Sequence, residues 1–398
     1  MGNETKGRGS MLLRGARAIL PDGVAEVVSL LLDEGRIARV IRGDERAPAY
    51  ISEKIDLGGL TLLPGFSDLH IHGAVGVDAM EASADDLHQV ARFLASNGVT
   101  SWLPTLVPSP YEDYQKAVEA IEGLMREQDE REAASRVLGL HYEGPFVNRA
   151  QCGALRPNYF RAYTEKSALD TLPLIRSSQA VHMMTLAPEI EGGVNLVREL
   201  TARGWVVSIG HTRASVEDLE RAREAGAHHM THFMNAMVAL HHRAPGPIGW
   251  GLLRDDITCD VIADGKHLDP LTLELVLKCK TAARVSLISD SISAAGLGDG
   301  EYSVWGETIT VEQGRTRNLR GNLAGSVITM LDAARMMLRL GASEADVARM
   351  CSSNPARLIG REHECGSIEE GKRADLVAID EKGDVRFTFV GGRIAYKG

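Results

Sequence analysis

Eight apolar, strand-like runs alternate with helical segments through the middle of the chain, and histidines or carboxylates fall at the ends of most of them. Both termini are β-rich instead. These observations predict an α/β protein, a (β/α)₈ TIM-like barrel with a small β-sandwich domain formed by the N- and C-terminal segments. A doubly wound sheet is the competing architecture.

Residues 1–10 are polar and Gly-rich and read as a flexible tail, with Met11 as an alternative start. Short strands follow near 11–13, 27–32 and 36–41, and Asp33-Glu34-Gly35 supplies a turn between two of them. The C-terminus repeats this style at 374–379 and 387–390, with Gly391-Gly392 as a hairpin turn. The simplest arrangement joins 11–62 and 366–398 in one small β-domain. The barrel domain, 63–365, is then inserted between them. Its strands are expected at 61–72, 99–106, 137–144, 181–187, 206–211, 228–232, 257–263 and 284–290. Helices are expected at 84–97, 111–128 and 215–224, among others.

The chain has 398 residues, enough for one large domain or two. Its formal net charge of -10 argues against general nucleic-acid binding, while leaving room for a local basic pocket. Five scattered cysteines without a C-x-x-C pair argue against a disulfide framework and a thiolate zinc site. There is no apolar run of membrane-spanning length and no secretory signal, so no membrane partner and a cytoplasmic location are expected.

The chemistry starts at Leu69-His70-Ile71-His72-Gly73. Side chains alternate along a strand, so His70 and His72 share one side and can hold one metal ion. Further polar groups end later strands: Glu143 before Gly144-Pro145, His211 after Gly210, His232 in Thr231-His232-Phe233-Met234-Asn235-Ala236-Met237, His267 after Asp264-Gly265-Lys266, and Asp290 after Ser289. Each alone has a plainer reading. His70 and His72 could be interior hydrogen-bonded histidines, and Asp290 could cap a helix before Ser291. A barrel brings strand C-termini to one mouth, and that convergence favours a catalytic centre. Imidazole and carboxylate ligands suit Zn²⁺ or another borderline divalent ion. Three protein ligands leave a position for water, whose pKa such an ion lowers toward about 7.

These motifs, with Leu323-Ala324-Gly325-Ser326, resemble the N-acetylglucosamine-6-phosphate deacetylases of the amidohydrolase superfamily, over essentially the whole chain. The Glu-Gly-Pro and His-Phe-Met-Asn-Ala-Met stretches carry most of the specificity. The resemblance implies that Glu143, His211 and His232 ligate a primary metal, and that His70 and His72 hold a second in binuclear members. It implies Zn²⁺, one or two per subunit, with Fe²⁺ as an alternative. It makes Asp290 the catalytic carboxylate and puts Ala154, Asn235, the Ala236 amide, Arg243, His267 and Leu323 at the substrate. Arg243 would grip the phosphate with its planar fork of donors. A homodimer acting on an amino-sugar phosphate is the implied assembly and substrate.

Two departures stand out. Leu155 occupies a position where many relatives carry a sugar-lining histidine, which leaves N-acetylgalactosamine 6-phosphate open as the substrate. The fourth expected strand holds no lysine to be carbamylated, so Glu143 has to supply the carboxylate shared between metals. His141, one alternation from Glu143, reads as supporting or packing, and Cys152 as an inert thiol near the pocket. A different amidohydrolase, or a non-catalytic barrel scaffold, are the remaining alternatives.

Overall fold

The computed structural model describes residues 10–43, 51 and 53–398. The expected tail therefore lies outside the described residues, except for Ser10, whose hydroxyl donates to Asp33 at 2.8 Å.

The core of the molecule is a parallel barrel. Its strands are β1 (Phe66–Ile71), β2 (Val99–Leu106), β3 (Gly139–Glu143), β4 (Val181–Leu186), β5 (Val206–Ile209), β6 (His229–Met230), β7 (Thr258–Ile262) and β8 (Val285–Ile288). Each pairs in parallel with the next in chain order. The seam between β8 and β1 is closed by single bonds rather than a ladder. Asp290 N donates to His70 O at 2.9 Å and His72 N to Ser291 O at 2.8 Å. Ser289 Oγ donates to Asp68 Oδ2 at 2.5 Å. The doubly wound alternative is thereby excluded.

Helices alternate with the strands, including α1 (Ala84–Ser96), α2 (Tyr111–Glu127), α3 (Gly193–Ala202) and α4 (Val216–Glu224). Ser83 and Ser215 cap α1 and α4 in reciprocal boxes with Asp86 and Asp218. On α1, Leu87, Val90, Ala91 and Leu94 are buried, the spacing of one apolar stripe facing the barrel.

The run expected as one strand over 61–72 is two. Thr61–Pro64 belongs to the terminal sheet, pairing antiparallel with Leu376–Ile379 and parallel with Arg17 and Ala18. Phe66–Ile71 belongs to the barrel. Gly65 separates them, and a Cβ there would meet Thr100 Cγ2 at 2.2 Å. The terminal ladder thus runs to Pro64, two residues past the expected boundary.

Among the described residues the terminal sheet has eight strands. Met11–Leu20 lies inside it, bonded to Glu53–Asp56 along its first half and to Thr61–Pro64 along its second. Its register against Gly23–Asp33 shifts between Leu13 and Ala16, where Gly15 has φ 73°. Such a bulge bends a strand. The sheet wraps one apolar cluster that includes Leu30, Leu32, Leu62, Leu376 and Phe389. Both chain ends therefore contribute to one small core.

A three-stranded antiparallel meander with no counterpart among the expected elements follows β8, formed by Gly300–Val304, Glu307–Glu312 and Arg315–Asn318. Among the described residues, no helix is long and apolar enough to cross a membrane.

Candidate metal centre and active site

Six of the expected residues converge at the C-terminal mouth of the barrel. His70 lies near the end of β1 with His72 just beyond, and Glu143 is the last residue of β3. His211, His232 and Asp290 each stand two residues past β5, β6 and β8. These three have left-handed backbones, with φ of 46°, 30° and 50°. Non-glycine residues rarely adopt that conformation, and functional sites are where such strain collects. All six side chains are buried.

Glu143 is the hub. Its Oε1 lies 2.9 Å from His211 Nε2 and 3.0 Å from His232 Nε2, and those two nitrogens are 3.2 Å apart. On the other side, His70 Nε2 is 3.7 Å from Glu143 Oε1 and His72 Nε2 is 3.4 Å from Oε2. His70 and His72 are 3.3 Å apart through their Nε2 atoms. Asp290 Oδ1 lies 3.5 Å from His70 Nε2 and 3.2 Å from His72 Nε2. Two potential ligand triads share Glu143: Glu143/His211/His232 and His70/His72/Glu143.

The donor set fits divalent ions. Ligands about 2.0–2.2 Å from a tetrahedral ion are about 3.3–3.6 Å apart, close to the separations here. The outward nitrogens of two ligands are anchored. His211 Nδ1 lies 2.8 Å from Gln151 O and His72 Nδ1 3.2 Å from Thr105 O. A ring that donates through Nδ1 presents the Nε2 lone pair to the centre. His232 is aimed differently: its backbone N–H is held by Asp260 Oδ1, while Asp260 Oδ2 lies 3.0 Å from His229 Nε2. Among the described residues, the Nδ1 atoms of His70 and His232 are buried without a partner.

Charge in the centre follows from this packing. Burial alone would raise the Glu143 carboxyl, but the His70 charge and hydrogen bonds from His211 and His232 hold it well below the ordinary range. Burial also opposes ionisation of Asp290, and His70 and His72 overcome it. His141 lies outside the two triads. Its nitrogens reach Leu69 O at 3.1 Å and Thr185 Oγ1 at 2.8 Å. Burial and the neighbouring His70 charge push it well below its usual value, as expected for a neutral interior histidine.

The centre opens into a cavity of about 400 Å³. Ala154, Asn235, Ala236, His267 and Leu323 all line it, as does Leu155. His267 is oriented from behind by Asp264, with Nδ1 2.8 Å from Oδ2. The structure does not bring Arg243 to the lining. It is exposed on the loop after Asn235, with a guanidinium nitrogen 2.9 Å from His242 Nε2. Trp305 and Asn322 line the cavity but were not singled out from sequence. They sit in the unexpected meander and the loop after it. The only signal for the turn was Trp305-Gly306 between two short alternating runs.

A barrel with two histidine pairs, a shared glutamate and an aspartate at its mouth defines a metal-dependent barrel hydrolase. The chain belongs to the amidohydrolase family, whose model matches residues 61–395. It is 34% identical to an N-acetylgalactosamine-6-phosphate deacetylase from Escherichia coli O157:H7, over 96% of this chain and 99% of the relative. It is also 34% identical to an N-acetylglucosamine-6-phosphate deacetylase from Bacillus subtilis, over 97% of each. The crystal structure of an N-acetylglucosamine-6-phosphate deacetylase from Thermotoga maritima superposes with a TM-score of 0.87 at 33% identity, covering 98% of this chain and all of that one.

Proposed function

We propose that the protein hydrolyses the N-acetyl group of N-acetyl-D-glucosamine 6-phosphate, giving D-glucosamine 6-phosphate and acetate. The observation that carries this reading is the Glu143 carboxylate held between His211, His232 and His72 beside Asp290. Long similarity to deacetylases acting on amino-sugar 6-phosphates supports the substrate class.

In this reading Glu143, His211 and His232 hold a primary Zn²⁺, and His70 and His72 with Glu143 hold a second ion. A divalent ion bound there supplies Lewis acidity toward the acetamide carbonyl and lowers the pKa of water. Asp290 takes a proton from the attacking water and returns it to the sugar nitrogen as the C–N bond breaks. Protonation is needed because an amide nitrogen leaves poorly as an anion. His267, fixed by Asp264, donates through Nε2 to a substrate oxygen. Asn235 and the Ala236 amide hold the sugar phosphate within the cavity, and Arg243 meets it at the mouth. The local donors explain how an acidic chain takes a dianionic substrate. A cytoplasmic homodimer completes the proposal.

N-acetylgalactosamine 6-phosphate is the second reading. Leu155 in the cavity wall and the similarity to an N-acetylgalactosamine-6-phosphate deacetylase favour it. An acetate-release assay tests both, using the two N-acetylated sugars with and without 6-phosphate on chelated and metal-restored protein. The proposal expects activity only with metal, and preference for phosphorylated glucosamine. Faster turnover of the galactosamine isomer selects the second reading. No acetate from either sugar removes both.

A further inference from the structure

The hairpin from Gly300–Val304 to Glu307–Glu312 turns through only Trp305 and Gly306. Both have left-handed backbones, φ 52° and 78°. Two such residues make the pattern of a type I′ turn, which favours Asn, Asp or Gly at each position. A tryptophan is sterically disfavoured there. Its indole Nε1 is also buried with no hydrogen-bond partner among the described residues, a second local cost. Strain of this kind at a site points to a role beyond folding.

The turn delivers the ring into the active-site cavity. There it stands edge-to-face on His72, with 4.9 Å between centroids and 79° between planes. Behind it lies a small apolar cluster that includes Ile292, Val304 and Ile309. The ring is therefore a backed wall beside the His72 ligand. The scissile amide has to lie at this centre. The sugar phosphate is assigned to Asn235 and Ala236, which follow β6, whereas His72 follows β1 on another side of the mouth. The acyl group is left facing Trp305.

We propose that Trp305 is a specificity residue that sets acyl length, accepting the acetyl methyl and excluding longer chains. This rests on the deacetylase reading above. It is tested with Trp305→Gly, which removes the ring while suiting the left-handed turn, and Trp305→Phe, which keeps a ring. The substrates are N-acetyl-, N-propanoyl- and N-butanoyl-glucosamine 6-phosphate. In Trp305→Gly the butanoyl-to-acetyl ratio of kcat/KM is expected to rise about 10- to 100-fold, the range for unblocking one or two methylenes. In Trp305→Phe it is expected to change by less than about threefold. An unchanged ratio in Trp305→Gly overturns the proposal. Binding gives a second readout. Trp102, Trp205 and Trp250 do not line the cavity, so N-acetylglucosamine 6-phosphate added to metal-stripped protein is expected to change tryptophan fluorescence through Trp305. A full response in Trp305→Phe contradicts the proposal. Wild-type protein inert on all three sugars removes the deacetylase reading, and this proposal with it. An active wild type with an unchanged Trp305→Gly ratio removes only the role of Trp305.

Discussion

His211 Nε2 lies 2.9 Å from Glu143 Oε1, although one residue follows the fifth barrel strand and the other ends the third. That contact separates the centre into a half that includes His211 and His232 and a half that includes His70 and His72. If two ions bind as proposed, replacing both members of the second half, His70→Gln with His72→Asn, is expected to lower bound metal from two ions per chain to one. Metal analysis by plasma mass spectrometry checks this. A variant that binds no metal would overturn the division of labour.

Asp290 is assigned proton transfer rather than primary metal binding. Asp290→Asn keeps the size and removes the base. Turnover is expected to fall by about 10²- to 10⁴-fold, the usual contribution of a positioned acid–base group. Metal content at Glu143/His211/His232 is expected to stay at the wild-type level. Near-native turnover in this variant would reject the assignment.

Arg243 is exposed and outside the lining, so its contribution is expected to be a charged hydrogen bond at the solvent-facing mouth. Arg243→Ala should raise KM for phosphorylated substrate about tenfold, the low end for such a bond. The non-phosphorylated sugar should be little affected. Steady-state kinetics on the pair decide it, since equal changes would remove the phosphate role.

Away from the site, Glu220 ties α4 to the helix at Gly246–Leu253. It accepts from Trp250 Nε1 and Arg254 Nε, each at 2.9 Å, and from Arg223 Nε at 2.8 Å. The Trp250 and Arg254 bonds depress its carboxyl from an ordinary 4.5 to about 2. A depressed carboxyl adds stability that is fully present above its unfolded pKa and lost as pH falls through the folded one. The stability difference between wild type and Glu220→Gln is therefore expected to be flat above about pH 4.5 and to shrink toward pH 2. Denaturant melts across that range measure it, and a difference that grows on acidification would contradict the assignment.

Much of the site was legible because alternation and strand ends are local signals. His70 and His72 share a side by period two, and Glu143 ends an apolar run that leads into Gly-Pro. The resemblance supplied the grouping of Glu143 with His211 and His232. What sequence did not carry was backbone hand and loop reach. Nothing in the residue types at His211, His232 and Asp290 signals a positive φ; tertiary bonds impose it, such as Asp260 on the His232 amide. Arg243 shows the same limit, since neighbourhood in sequence to Asn235 did not bring it to the wall. The split of 61–72 at Gly65 was hidden because both halves are apolar and extended. Only a long-range partner, Leu376–Ile379, tells them apart.

That partner has a consequence for synthesis. Thr61–Pro64 leaves the ribosome about 300 residues before the strand that covers its edge. Through that interval it is an apolar template for the wrong neighbour. A nascent chain truncated before Leu376 would carry every proposed metal ligand yet lack the strand that shields the approach to β1. Its expected fate is aggregation or capture by chaperones rather than a smaller working enzyme.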